Sequence, residues 1–540
     1  MKTYHNIGYK IACFGLAAIT LTSCEDWLNA PQPGVTKLED FFTSGEAAIQ
    51  TTTGCYVPLE WEFNKTYFSE WFIGDVVSDD ALKGGQNTND MSNVYDMENW
   101  KTTSTSALLQ DFYKAQYIGI GRCNLALEYI PKMELDSTLT PELKERLLGE
   151  IHFLRAYYYF RLVRVFGGTP KIDFVVDSDS KWKQPRASAA DIYAFILKDL
   201  EIAEAGLWKK SEYPATELGR ATKGAAQAML LKVNLYLASE GNAANRGSKS
   251  ALDYYKAAKA WGDSVIQSHE YSLCPNYANN FTLAGENGQE SVFEIQYVED
   301  PTSDYGEGYG FTRGCFTVIL TRSRSQVLLG GNSGWGFNKP TANLYNEYET
   351  GDPRRDATIF APSNAQISNP AEEIYLGDRY ISLKYGLYNA DMTAYPLAHA
   401  TRGPINNKQI RYADVLLMTA EAALGCQEDG DAKDYLNEVR TRVSLPTYPG
   451  YDIRINGQTI TPTLEQAIRH ERRVELGMEG HRWFDLCRWG VAKETMDAYK
   501  ATETPEAQSH MATFIKGKHE LFPLPSKEIE LNPMTQNPGY

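Results

Sequence analysis

The chain has 540 residues, 43% hydrophobic and 23% charged, ordinary proportions for a globular protein with ample length to bury a core. Its 53 Lys and Arg are outweighed by 69 Asp and Glu, a formal charge of −16, which excludes a basic nucleic-acid footprint as the default and argues against a polybasic membrane-surface protein. It has no apolar run of about 18 residues, so no helix is expected to span a bilayer.

The chain begins with Lys2 and Lys10 around a short positive segment, then a mostly apolar run over residues 11–20, then Leu21-Thr22-Ser23-Cys24. A charged start, a short apolar stretch and small residues before a cut describe a secretory signal. With a cysteine directly after the small residues, it resembles a bacterial lipoprotein signal. That resemblance implies that residues 1–23 are removed and that the Cys24 thiol takes up fatty acyl chains such as palmitate. Several chains on one residue give a stable anchor, because each buried CH₂ adds roughly 0.8 kcal/mol. Removing Lys2 and Lys10 takes the charge from −16 to −18. Glu25 and Asp26 follow the cysteine, as in Bacteroidetes lipoproteins sent to the cell surface. The cysteines beyond Cys24 are Cys55, Cys123, Cys274, Cys315, Cys426 and Cys487, with no C-x-x-C, so no metal site is expected from them; disulfides stay open.

Further along, helices are expected in sequence order. Residues 141–166 form a long candidate, with Thr140 as N-cap before Pro141 and Gly167-Gly168 as the stop. Ile192, Phe195, Ile196, Leu200, Ala203 and Leu207 give one stripe of 3.6 period over residues 191–207. Residues 223–239 and 252–268 read as one helix pair, and 412–425 with 432–443 as another. Residues 463–478 start on a capping box of Thr463 and Gln466. Leu230-Leu231 with Ala238, and Leu416-Leu417 with Ala420, place small and large residues as stacked helical hairpins of the tetratricopeptide kind need. Two irregular stretches, 56–105 and 270–410, are rich in Gly, Asn, Ser, Thr and aromatics. They hold short strand-like runs at Val292-Phe293-Glu294-Ile295 and Val318-Ile319-Leu320. Loops of that length in a compact protein are usually functional.

Enzymatic signatures are missing from the sequence. No G-x-S-x-G, H-E-x-x-H or Walker A pattern occurs, and no two of the eight histidines lie three or four residues apart. With 69 acids, carboxylate pairs of glycosidase type are unavoidable and carry no information. No catalysis is expected.

Residues 471–490 read Glu471-Arg472-Arg473-Val474-Glu475-Leu476, then Glu479-Gly480-His481-Arg482-Trp483-Phe484-Asp485-Leu486, then Arg488-Trp489-Gly490. The end carries Phe522-Pro523-Leu524-Pro525, Asn532-Pro533 and Gln536-Asn537-Pro538-Gly539-Tyr540. Upstream stands Phe153-Leu154-Arg155-Ala156-Tyr157-Tyr158-Tyr159-Phe160, closing in Phe166-Gly167-Gly168-Thr169-Pro170. Together with the lipoprotein start, these segments resemble the SusD/RagB family of Bacteroidetes outer-membrane lipoproteins. The resemblance implies a mostly α, SusD-like fold: a scaffold of four tetratricopeptide-like helix pairs with long irregular loops and short strands. It implies a single domain over 24–540, with an N-terminal part at 24–230 and a C-terminal part at 270–540. It also implies a lipid-anchored protein on the extracellular side of the outer membrane, with the scaffold facing a SusC-like TonB-dependent transporter. The ligand of the family is usually a glycan, and a peptide in the RagB branch; no enzymatic activity is implied. The charged cluster at 471–488 is expected to be structural, since charges among apolar neighbours need partners.

Sugar rings present apolar C–H faces that flat aromatic rings cover, while their hydroxyls take hydrogen bonds. Aromatics set among glycines in loops have the least reason to be buried. Trp335, Tyr309, Tyr305 and Trp100 are therefore the expected stacking platforms, with Lys83 and Asn87 as polar contacts, because Ser78-Asp79-Asp80 followed by Gly84-Gly85 resembles a loop near the family's site. Trp71, before Phe72-Ile73, leans toward the core. Glu299, Asp300 and Asp304 form an acidic loop with the hard oxygens that Ca²⁺ takes, though a solvated charge run is the plainer reading. The expected function is capture of an oligosaccharide and its delivery to the transporter. A peptide-binding RagB-like lid and a pure transporter-associated scaffold stay open beside it.

Overall fold

The computed structural model describes residues 41–61, 69, 71–299, 314–325, 334–388, 394–399, 402–455 and 457–540. Its framework is a series of helices: α1 (Gly45–Tyr56), α2 (Ala107–Tyr129), α3 (Pro141–Phe166), α4 (Ala189–Gly206), α5 (Lys223–Ala238), α6 (Ala251–Gln267), α7 (Tyr412–Gly425), α8 (Asp429–Arg442), α9 (Leu464–Leu476), α10 (Arg482–Trp489) and α11 (Ala492–Thr502). The expected starts are there in atomic detail. Thr140 accepts from the Leu143 amide with Pro141 in the first turn, and Thr463 and Gln466 close a reciprocal capping box. Gly167 ends α3 at φ +72°, a conformation that favours glycine.

α3 packs along α4, α5 along α6 and α7 along α8, and contacts of α4 with α5 and of α6 with α7 chain these pairs into one stack, which α1 and α2 extend at its N-terminal end. The fold is therefore helical, with the hairpin scaffold expected of it. One hydrophobic cluster runs from Ala48 to Leu524 through all of these helices. Close crossings depend on glycine at particular places. A Cβ at Gly119 on α2 would lie 2.3 Å from the ring of Tyr158 on α3, while one at Gly121 would meet nothing within 4 Å. Tyr158 is fully buried and its hydroxyl donates to the Cys55 carbonyl at 2.7 Å, so the ring has nowhere to go. Gly119→Ala is expected to destabilise the protein by about 1–3 kcal/mol through overpacking. Gly121→Ala is expected to stabilise it by about 0.5–1 kcal/mol through helix propensity. Urea unfolding of the two variants side by side checks the pair.

The strands are short and antiparallel: β1 (Ala81–Gly84) pairs with β3 (Phe337–Pro340), β2 (Ser291–Ile295) with β6 (Asn407–Arg411), β4 (Ile359–Phe360) with β5 (Ile381–Ser382), and β7 (Ile453–Ile455) with β8 (Gln458–Ile460). The strand expected at 292–295 is β2. The run Val318-Ile319-Leu320 is instead one turn of helix, Thr317–Thr321, because a short buried apolar run has no periodicity to separate helix from strand. Register Leu82↔Lys339 and Gly84↔Phe337 fastens the first irregular stretch to the second.

The charges of residues 471–488 are buried and paired. Glu475 accepts from Arg354 at 3.0 Å, Arg411 at 3.0 Å and Arg442 at 2.6 Å. Glu479 takes Arg411 and Lys384, and Glu471 takes Arg354 and Arg440. Arg472 reaches Asp414 on α7 and Asp485 on α10, and Arg488 reaches Glu421 on α7. Arg473 and Arg482 hold Asp79 and Asp80 just before β1. α9 and α10 are thus ion-paired to the helical stack on one side and to the loop layer on the other, as a structural role requires. The C-terminus closes the same way: Asn537 donates to the carbonyls of Phe166 and Phe522, and Arg186 donates to Phe166 and Gly168. Cys55, Cys123, Cys274, Cys315, Cys426 and Cys487 are free thiols.

Candidate functional site

Trp335 is 38% exposed, a large aromatic open to solvent in the loop layer. Its ring stands edge-on to the buried Phe316, with centroids 5.2 Å apart and planes at 84°. The backbone beneath is fixed at three successive residues: Gly334 N–H donates to Ser323, Trp335 to Ile319 and Gly336 to Arg322, at 2.7, 2.9 and 2.8 Å. Arg322 is itself anchored, donating to the carbonyls of Gly386 and Tyr395. Glu373 gathers the hydroxyls of Ser323 and Ser325 and the ammonium of Lys339. The exposed ring therefore sits on a rigid shelf.

Beside it runs the loop 84–90. Gly85 N–H donates to the Gly336 carbonyl at 2.9 Å, which joins the loop to the tryptophan segment. Gly84 and Gly85 have φ near +76° and +75°, and a Cβ at Gly84 would lie 2.1 Å from the Gly336 oxygen, so both conformation and approach demand glycine. Gln86, Asn87 and Asn89 are exposed. Asn87 Oδ1 accepts from the amides of Asn89 and Asp90, leaving its amide NH₂ available to an acceptor outside. An apolar ring face next to exposed amides on a fixed backbone is the arrangement a sugar or an extended peptide uses.

Trp335, far in sequence from Lys83 and Asn87, comes to their side of the loop layer through the pairing of β1 with β3. Lys83 is not on the surface. Its ammonium is buried and donates to the carbonyls of Gly84, Asn87 and Asp90 at 2.7, 2.9 and 2.6 Å, because the glycine turn folds those carbonyls inward. Trp100 also departs from the expectation. It is 7% exposed and packs edge-on against Phe514 at 5.3 Å, so its ring is core and offers no open face. Trp71 is buried, its indole donating to Thr317, in keeping with its core lean. Tyr297, Phe316 and Phe337, aromatics of the second stretch, are buried as well. Tyr305, Tyr309, Cys24, Asp300 and Asp304 lie outside the described residues. Glu299 accepts from the Tyr395 hydroxyl and the Ala398 amide. Among the described residues no three His, Cys, Asp or Glu side chains are grouped to hold a metal ion. No helix among them is long and apolar enough to cross a membrane. The exposed Gln86 and Asn89 and the shelf-building Arg322 and Glu373 escaped the sequence reading. Gln86 alone had a signal, its place directly after the paired glycines.

Two sizeable cavities lie elsewhere, on the helical side. One of about 590 Å³ opens where the ends of α5, α6, α7 and α9 meet, between Tyr255 and Trp489; one of about 560 Å³ lies beside Gly167 and Glu520. In the first, the carboxylate of Glu421 is already taken by Arg488 and the Trp489 indole, and Arg246 caps the carbonyls ending α5. Volume alone does not outweigh the open ring and amides of the loop layer.

Comparison with known proteins places this geometry in context. The model of the SusD family matches residues 289–540, and that described as starch-binding associating with outer membrane matches residues 36–235. A SusD-like protein of Bacteroides ovatus is 26% identical over 503 residues, 89% of this chain and 82% of its own. The starch-binding protein SusD of Bacteroides thetaiotaomicron is 26% identical over 444 residues, 73% of each. A laminarin-binding SusD-like protein superposes with a TM-score of 0.72 at 25% identity, covering 92% of this chain and all of its own. The fold is likewise that of surface glycan-binding protein A of Bacteroides thetaiotaomicron, solved with laminarihexaose: TM-score 0.72, 23% identity, 91% and 99% covered.

Proposed function

Because the chain belongs to the SusD-like family, we propose that it is a non-catalytic, lipid-anchored glycan-binding protein of the outer-membrane surface that captures oligosaccharide at Trp335 and hands it to a SusC-like TonB-dependent transporter. The observation that carries the reading is the open Trp335 ring on its fixed shelf beside the exposed amides of the 84–90 loop. An indole face covers the apolar face of a pyranose, and amides bond its hydroxyls in both directions. Relatives bearing starch and laminarin in their names support a glucan as the first ligand class to try. Anchoring rests on Cys24 behind its signal, and the net charge of −18 left once Lys2 and Lys10 are removed from the −16 of the full chain disfavours a polyanionic glycan.

Calorimetry of residues 25–540 against laminari- and malto-oligosaccharides, other polysaccharides and a peptide digest tests the reading. Saturable heat with a glycan is expected. Heat with peptide alone would move the protein to the RagB-like reading, and silence with both would favour a scaffold. Incorporation of a labelled palmitate into the full chain, lost in Cys24→Ala, is the expected result for the anchor.

A further inference from the structure

Resting on that glycan reading, we propose that Lys83 is a positioning residue of the platform, an internal strut whose ammonium fixes the shape of the 84–90 loop and so holds Gln86, Asn87 and Asn89 in place beside Trp335. The geometry is that of a filled site. An ammonium has three N–H donors, and all three are used, on the carbonyls of Gly84, Asn87 and Asp90, spread over the whole loop. Its Nζ also lies over the rings of Phe337 and Tyr375, 5.4 and 5.0 Å from their centroids. The loop has little else to hold it: after the Gly85–Gly336 hydrogen bond, its internal bonds are those of Asn87 and Asp90 to nearby amides. Two consecutive glycines give it many other conformations, and the strut selects one of them. Holding binding groups in their bound arrangement lowers the ordering cost of association, so loss of the strut weakens affinity without removing any ligand contact.

The charged state of the strut matters, since a neutral amine has two hydrogens for three carbonyls. Burial lowers the Lys83 pKa to about 8, with Glu98 and Asp90 opposing. The groups around it are Glu98, which accepts from the Lys83 backbone amide; Asp90, which accepts from the Gln86 amide; the Tyr375 ring; and Lys339 on β3, already paired with Glu373. Raising the pH through about 8 is therefore expected to release one carbonyl and weaken glycan binding.

Lys83→Met keeps the stem and removes the donors. For the glycan that the wild type binds, the variant is expected to show a Kd at least about tenfold weaker, faster hydrogen exchange confined to amides 85–90, and a melting temperature within a few degrees of wild type. The loss of affinity on raising the pH from 7 to 9.5, present in the wild type, should vanish in the variant. A wild type whose affinity is flat over that range, or a variant that binds as tightly as wild type, overturns the role of Lys83 and leaves the glycan reading standing. A wild type that binds no glycan overturns the glycan reading instead. The wild-type pH series needs no variant, so it decides even if Lys83→Met does not fold.

Discussion

Glu475→Gln is expected to destabilise the fold by about 3–5 kcal/mol, the cost of removing one partner from a buried ion network. The carboxylate is fully buried and accepts from three guanidiniums, those of Arg354, Arg411 and Arg442. Gln keeps the shape but turns an NH₂ toward donors and removes the charge that offsets three cations. Burial alone would raise the Glu475 pKa, yet Arg442, Arg411 and Arg354 hold it well below the ordinary carboxylate range. Glu479 and Asp79 behave alike. Burial opposes, but Arg411 and Lys384 hold Glu479 at about 2, and Arg473 and Arg482 hold Asp79 at about 2. A depressed folded pKa gives stability that is complete above the unfolded value and lost as pH falls through the folded one. Stability is thus expected to drop between about pH 4.5 and 2, less steeply in Glu475→Gln. Urea is the denaturant to use, since guanidinium salt screens the interactions in question. A midpoint unchanged at pH 7 would mean that the cluster is not a fold-holding network.

That network also shows where sequence reading succeeds and where it stops. The starts of α3 and α9 were legible because a cap is written within four residues, Thr140 to Leu143 and Thr463 to Gln466. That residues 471–488 need partners was equally legible from charge among apolar neighbours. Which partners they take was not, because Asp79 meets Arg482 across some 400 residues and only the topology brings them together. α2 escaped notice because Gly119 and Gly121 interrupt its apolar pattern, and Gly119 is there for the Tyr158 crossing. At the site, Trp100 and Trp335 look alike in sequence, each in a polar loop. Each stands at about 84° to a phenylalanine, Phe514, more than 400 positions after Trp100, and Phe316 beside Trp335, yet Trp100 is 7% exposed and Trp335 38%, a difference that only the surrounding fold sets. Lys83 looks like a surface lysine until the turn at Gly84-Gly85 folds three carbonyls around it.

This contrast between the two tryptophans sets the second large effect. Trp335→Ala is expected to weaken glycan affinity by about 2–3 kcal/mol, roughly 30- to 150-fold in Kd, as removal of a central aromatic anchor does. Folding stability should change by no more than about 1 kcal/mol, because the ring is 38% exposed and its segment is held by backbone hydrogen bonds that alanine keeps. Trp335→Phe, with a smaller flat face, should fall between wild type and alanine. Trp100→Ala should show the reverse pattern, a stability loss of about 3–5 kcal/mol from the cavity left against Phe514, with the surviving folded fraction still binding. Calorimetry and urea unfolding of the three variants separate an anchor from a core residue. If Trp335→Ala bound as tightly as wild type, the Trp335 platform would be ruled out as the stacking site whatever the wild type binds. If both alanine variants lost only stability, the two rings would be core alike, and the exposed face of Trp335 would have no ligand to explain it.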